Sequence, residues 1–233
     1  MILLILSSIV FAQDGKVNDQ GKTTPATFIG VKHANTNADN SGFAENYLIN
    51  NVIYPGKAMQ CFKEGTEVVK FTVMPTGTLT NIEVVNSVCK EIDAEVVRLL
   101  KESNGMWRPA YQNGVPVASE QELSMVFSNK NKSEINEYFV ARAETFYKEG
   151  NRKLFEQNKP KKAIKMYNCG LRYLPNDKGL LLMRGISSYK LGNIASAKED
   201  WEKVAELGGI DFNKSDLAES ERNPEMMDIL SEN

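Results

Sequence analysis

Residues 105–117 read GMWRPAYQNGVPV, and the placing of this stretch decides the fold of the first half of the chain. Trp107, one of two tryptophans in 233 residues, stands two positions before Pro109. Asn113-Gly114 follows, a pair that readily takes the positive φ angles of a two-residue hairpin turn. Just upstream, IDAEVVRLLKESNG sets Ile92, Val96, Leu99 and Leu100 at helical spacing and stops at Asn104-Gly105. Downstream, Leu123, Met125 and Phe127 alternate within residues 118–128, the period of a strand. The stretch therefore reads as a corner between helix and strand rather than an active site. Trp107 is its apolar plug, Pro109 stiffens the exit, and Pro116 is expected to delay pairing until the last strand begins.

Working outward, EVVKFTVM alternates Val69, Phe71 and Val73 against Lys70 and Thr72. LTNIEVVNSV puts Ile82, Val84 and Val88 on one face, and Pro75-Thr76-Gly77 between the two runs reads as a hairpin turn. Earlier still, FAENYLINNVIYP places Phe43, Tyr47 and Leu48 on one helical face and ends at Tyr54-Pro55. The order is helix–strand–strand–helix–strand, a small α+β domain over residues 43–129. Asp93 and Glu95 fall near a helix N-terminus and read as helix-start residues rather than a catalytic carboxylate pair.

From Glu134 onward the period is helical. Shifting the chain by 34 residues brings Ala163 onto Ala197, Tyr167 onto Trp201, Phe155 onto Tyr189, Tyr147 onto Leu181 and Tyr173 onto Leu207. That spacing predicts two helix–turn–helix units over residues 134–209. Two units are few for a solenoid, so residues 133–140 or a helix near Pro224–Leu230, in the 210–233 tail, are expected to cap them. The repeat is imperfect, because Gly150 sits one position early and Asn151 stands opposite Gly185. Tyr167, Tyr173, Trp201 and Phe155 are read as inter-helix core, with a peptide groove as the alternative. Lys159, Lys161, Lys162 and Lys165 read as a solvated face.

The bulk composition removes several classes of function. The chain holds 28 basic and 30 acidic residues for a net charge of −2, so it carries no polybasic footprint for nucleic acid or anionic lipid. The sole histidine, His33, lies in a polar, aperiodic lead-in over residues 13–42, which is expected to be flexible. No phosphate loop is present, since GKTTPATFIG lacks the required spacing. Neither enzymatic activity nor a cofactor, metal or small-molecule substrate is expected. Residues 1–12, MILLILSSIVFA, are apolar but shorter than the roughly 20 residues of a spanning helix. Val10-Phe11-Ala12 before Gln13 fits a cleaved export signal, with a buried or unstructured N-terminus as the alternative. Cys61, Cys89 and Cys169 lack metal-ligand spacing. Export would permit a Cys61–Cys89 disulfide; two buried thiols are the alternative.

Taken together, the residues from 43 to 127 resemble the C-terminal domain of TonB-type proteins. The likeness rests on Phe43, Tyr47, Leu48, Asn51, Tyr54-Pro55 and Ala58, then Gly65, Val69, Phe71, Val73, Gly77 and Val84. It continues through Ile92-Asp93, Glu95, Arg98, Trp107, Pro109, Asn113-Gly114 and Val117. Paired cysteines at Cys61 and Cys89 also look like a variant of this family. Residues 134–209 resemble tetratricopeptide (TPR) repeats. The resemblance implies a periplasmic domain that binds a segment of an outer-membrane transporter, or another periplasmic protein, by adding a strand to its sheet. It points to strand 119–127 through Ser119, Gln121, Leu123 and Met125, and to Asn51 as a contact. The repeats would serve a second protein or peptide. Only Pro25 lies between the apolar run and Tyr54-Pro55, so the Pro-rich spacer of an energy transducer is missing. A periplasmic adaptor is therefore expected. The alternative is an energy-transducing TonB component, anchored in the inner membrane by a segment ahead of this start.

Overall fold

The computed structural model describes residues 5–6, 23–30, 47–48, 50–53, 63–211 and 223–231, and the chain divides into two compact units, Met1–Lys132 and Ser133–Asn233. Phe43, Tyr54, Pro55, Ala58 and Cys61 lie outside the described residues.

In the first unit the strands are β1 (Ile5–Leu6), β2 (Thr23–Thr24), β3 (Thr27–Phe28), β4 (Gly65–Val73) and β5 (Leu79–Asn86). Helix α1 (Lys90–Glu102) leads to β6 (Trp107–Arg108), β7 (Ala110–Gln112), β8 (Val115–Val117) and β9 (Ser119–Phe127). The main sheet runs β1-β9-β4-β5, antiparallel throughout. The β4–β9 register is unbroken from Gly65 opposite Phe127 to Val73 opposite Ser119. Period-two alternation sends Val69, Phe71 and Val73 to the same face as Leu123, Met125 and Phe127. Ile92, Val96, Leu99 and Leu100 of α1 join them in one core. Helical spacing and strand alternation thus meet at a single buried layer.

Two expectations for this unit need correcting. Pro116 does not delay pairing: Val115–Val117 already pairs with Ala110–Gln112, Pro116 standing opposite Tyr111. The proline is tolerated because β8 is an edge of the small sheet β2-β7-β8, where a missing N–H breaks no second ladder. Nor is the lead-in free of structure. Thr23–Thr24 pairs with β7, Thr27–Phe28 pairs with β6, and the Ile29 amide donates to the Met106 carbonyl at 2.8 Å. Adjacent Phe28 and Ile29 are both buried, which offsets the entropy of ordering a polar segment.

The second unit holds α2 (Lys132–Asn151), a π-helical turn (Arg152–Glu156), α3 (Pro160–Leu171), α4 (Lys178–Lys190), α5 (Ile194–Glu206) and α6 (Pro224–Ser231). Asp177 caps α4 by accepting from the Leu180 amide, and Asn223 accepts from the Met226 amide ahead of α6. Ala163, Tyr167, Ala197, Trp201 and Met226 are fully buried in a shared core.

The two glycines explain the imperfect offset. A Cβ on Gly185 would lie 2.4 Å from Trp201 Nε1, and one on Gly150 would lie 2.3 Å from Tyr167 Cε1. Each glycine therefore admits the aromatic of its own helix pair. One residue more separates Gly150 from Tyr167 than Gly185 from Trp201, and the π turn between them accommodates an extra residue. The same turn shifts the phase, burying Leu154 and turning Phe155 outward to 43% exposure. Phe155 is thus no core aromatic. Its ring instead meets the Lys190 ammonium at 5.7 Å.

Candidate functional site

The corner that opened the sequence reading positions the last strand. Trp107 is 4% exposed, and its ring lies 5.1 Å from Phe71 and 5.2 Å from Phe28, edge-on to both. Its Nε1–H donates to Ser103 Oγ at 3.0 Å, and that hydroxyl donates to the Leu100 carbonyl at 2.7 Å. The indole therefore ties the end of α1 to the sheet. Gly77 completes the corner from the hairpin side. Its φ is +78°, and a Cβ there would sit 2.3 Å from the Trp107 carbonyl oxygen, so two constraints select glycine. Asn113 and Gly114, at φ of 53° and 80°, form the tight turn that sends the chain into β8 and then β9. Pro109 stands between β6 and β7.

Strand β9 is bounded by β4 on one side. Among the described residues, strand pairing on its other side is confined to Val126 and Met125, which face Ile5 and Leu6. Ser119, Gln121 and Leu123 lie along the stretch of that edge beyond the β1 pairing. The side chains proposed from sequence as contacts are not displayed there. Leu123 and Met125 are buried in the core, and Gln121 is 1% exposed, its Nε2 donating to the Glu120 carbonyl at 2.7 Å. Gln121 Oε1 is buried without a hydrogen-bond partner. Ser119 is half-buried. What these residues can offer a partner is main chain. On the other face of the sheet, Glu83, Lys70 and Glu122 stand in line across β5, β4 and β9, with opposite charges adjacent.

Asn51 belongs to a different part of the domain. Its Nδ2 donates to the Tyr47 carbonyl at 2.7 Å, and its own carbonyl accepts from Arg98 at 3.2 Å. Arg98 grips Glu95 through two hydrogen bonds, at 2.9 and 2.6 Å, and reaches Glu102 at 2.6 Å. Glu95 accepts the Ile53 amide at 2.6 Å, and the Arg98 guanidinium holds its carboxyl below the usual range. Glu95 is therefore a clamp between α1 and residues 51–53, not a simple helix-start acid. Asp93 does act at the helix start, accepting the Ser87 hydroxyl at 2.8 and 3.0 Å.

Sequence reasoning missed Glu67. It is fully buried on the core face of β4, in the same alternation as Val69 and Phe71. Its Oε2 accepts the Val88 amide at 2.8 Å, while Oε1 has no partner. Burial pushes its pKa up to about 8, and neighbouring Asp93 adds to the rise. The alternation that placed Val69 and Phe71 inside was the signal that could have found it. The expected bridge between Cys61 and Cys89 is not supported. Cys89 is a half-buried free thiol whose pKa burial raises, and Cys61 falls outside the described residues.

No helix among the described residues is long and apolar enough to cross a membrane. No curated protein and no solved structure matches the chain. Residues 50–128, from the Arg98-held segment through the Trp107 corner to β9, match the family model of the Gram-negative bacterial TonB protein C-terminal, a non-enzymatic protein-interaction domain.

Proposed function

We propose that the protein is a periplasmic adaptor that captures an extended segment of an outer-membrane transporter, or of another envelope protein, along the outer edge of β9. The observation that carries this reading is the antiparallel addition of Ile5–Leu6 opposite Val126 and Met125. A short apolar stretch of the chain's own sequence already occupies part of the edge as a foreign strand would. Strand addition recognises main chain, which agrees with Gln121, Leu123 and Met125 turning their side chains to the core. Each new main-chain bond contributes about 0.5–1.5 kcal/mol net, so a handful gives reversible capture. Cleavage after Ala12 on export would remove Ile5 and Leu6 and lengthen the available edge. Ser119 and the backbone of Gln121, Leu123 and Met125 are the proposed contacts, with Asn51 a separate contact near α1. The 34-residue offset and the matched glycine–aromatic pairs support reading the helical unit as tetratricopeptide-like and suited to a second protein.

The test compares capture of peptides from the periplasmic ends of outer-membrane transporters by three chains. These are residues 13–233, the same chain with Glu122→Pro, and the same chain with Leu123→Pro. Neighbouring residues in a strand point their amides to opposite sides. One proline therefore removes a donor from the outer edge and leaves the β4 ladder intact. Loss of capture by the variant that keeps its cooperative melt is expected. Undiminished capture by that variant would reject strand addition.

A further inference from the structure

Strand β9 changes chemistry along its length on the sheet face turned away from the core. Val126, Ser124, Glu122 and Glu120 share that face, by alternation with the buried Phe127, Met125 and Leu123. At one end Val126 stands opposite Ile5 of β1, apolar against apolar. Further along, the cross-strand row runs Glu83, Lys70, Glu122, so a single cation stands between two carboxylates. Glu120, two positions on, adds a further acid to the same face of the strand. Among the described residues β1 pairs only with Val126 and Met125, so the charged row ends at Glu122.

Opposite charges directly across a sheet attract, and like charges repel. Glu122 is 8% exposed, where water and salt screen its charge only weakly. A strand added beyond β9 therefore meets an acid-rich row whose alternation a cation would continue. The register of Ile5 and Leu6 says which residue of that strand is concerned. Partner numbers run in opposite directions in an antiparallel pair, so the residue four positions after the one at Val126 stands at Glu122. An even spacing keeps both on one face. The chain's own sequence meets only the first half of this rule: Ile5 is apolar, and four positions later stands Ile9 rather than a cation.

We propose that Glu122 selects the segment that β9 captures: an extended peptide running antiparallel to β9, with an apolar residue opposite Val126 and a lysine or arginine four positions later opposite Glu122. This rests on the reading of β9 as the capturing edge and adds the class of segment that edge takes.

The probes are N-acetyl-Thr-Ile-Thr-Thr-Thr-Lys-Thr amide, the same peptide with glutamate for lysine, the peptide with its lysine moved one position toward the N-terminus, and the reversed sequence. Titration calorimetry measures affinity, and amide exchange over Ser119–Phe127 locates the bound strand. The full chain is used beside the chain from residue 13, whose cooperative melt is checked first. The lysine peptide should bind about tenfold tighter than the glutamate peptide, since attraction at one position is exchanged for repulsion. The moved lysine keeps composition and charge but faces the other side of the sheet, so it should lose most of that advantage. Glu122→Gln keeps the backbone amide and the side-chain shape and should abolish the preference, and Glu122→Lys should reverse it. If Glu122→Lys fails to fold, Glu122→Gln carries the test. Peptides that protect β9 with equal affinity, or a preference unchanged in Glu122→Gln, would overturn the role of Glu122 and leave the capturing edge standing. Tighter binding of the reversed sequence would overturn the antiparallel register. If no peptide protects β9, the edge reading itself fails and this proposal with it.

Discussion

The two units solve the same problem of burying aromatics by opposite means. In the sheet unit, Trp107 is enclosed by residues far apart in sequence: Phe28 from the lead-in, Phe71 from β4 and Ser103 at the end of α1. In the helical unit, Tyr167 and Trp201 are each admitted by a glycine of the helix just before, the same device used twice. A sheet assembled from distant pieces ends in edges with main-chain groups to share, whereas helices satisfy their own backbone. The first unit therefore has main-chain groups to share along a sheet edge, and the second has only side chains to offer.

The contrast is open to attack, beginning where the largest effect is expected. Trp107→Ala should cost about 3–5 kcal/mol in urea unfolding, since it empties the joint of three distant segments. A fully cooperative variant with an unchanged midpoint would show that the corner does not hold the sheet unit. Gly185→Ala should cost about 1–3 kcal/mol by overpacking against Trp201. Gly150→Ala should cost a similar amount against Tyr167, if the two pairs are equivalent. A large loss at one glycine and none at the other would break the equivalence. The π turn separates a large effect from a small one, and Leu154→Ala should destabilise by about 2–5 kcal/mol. Phe155→Ala should stay within about 0.5 kcal/mol, and reversed values would mean that the π turn does not set the phase.

A pH series sharpens the comparison from inside the sheet unit. Glu67 has its folded pKa raised to about 8, above the unfolded value of about 4.3. The folded state therefore holds the proton more tightly, and stability falls as pH rises from about 4.3 to about 8. Glu67→Gln keeps an acceptor for the Val88 amide and removes the charge, so its stability should be flatter across that window. A wild-type chain whose stability rises through the same window, with Glu67→Gln unchanged from it, would contradict this.

Much of this architecture was legible because local signals agreed with one another. The β4–β5 hairpin, α1, β9 and the Asn113-Gly114 turn each carried a period or a turn pair that tertiary packing did not override. What escaped was non-local. Phe28 lies in a polar stretch with no period, and only its packing against Trp107 makes it core. The π turn left a trace in the early Gly150, but its consequence for Leu154 and Phe155 needed three dimensions. The candidate edge was legible as a strand and illegible as a surface. Alternation placed Gln121, Leu123 and Met125 together, and only their partners on β4 show that they face inward.

The central claim is that β9 binds through its main chain. Amide hydrogen exchange across residues 119–127 tests it directly, in the chain from residue 13 with and without a bound peptide from the periplasmic end of an outer-membrane transporter. Strand addition protects the amides that point outward and leaves those already bonded to β4 unchanged. The account predicts new protection at every second residue along β9. Uniform protection, or binding with no new protection on β9, would contradict it.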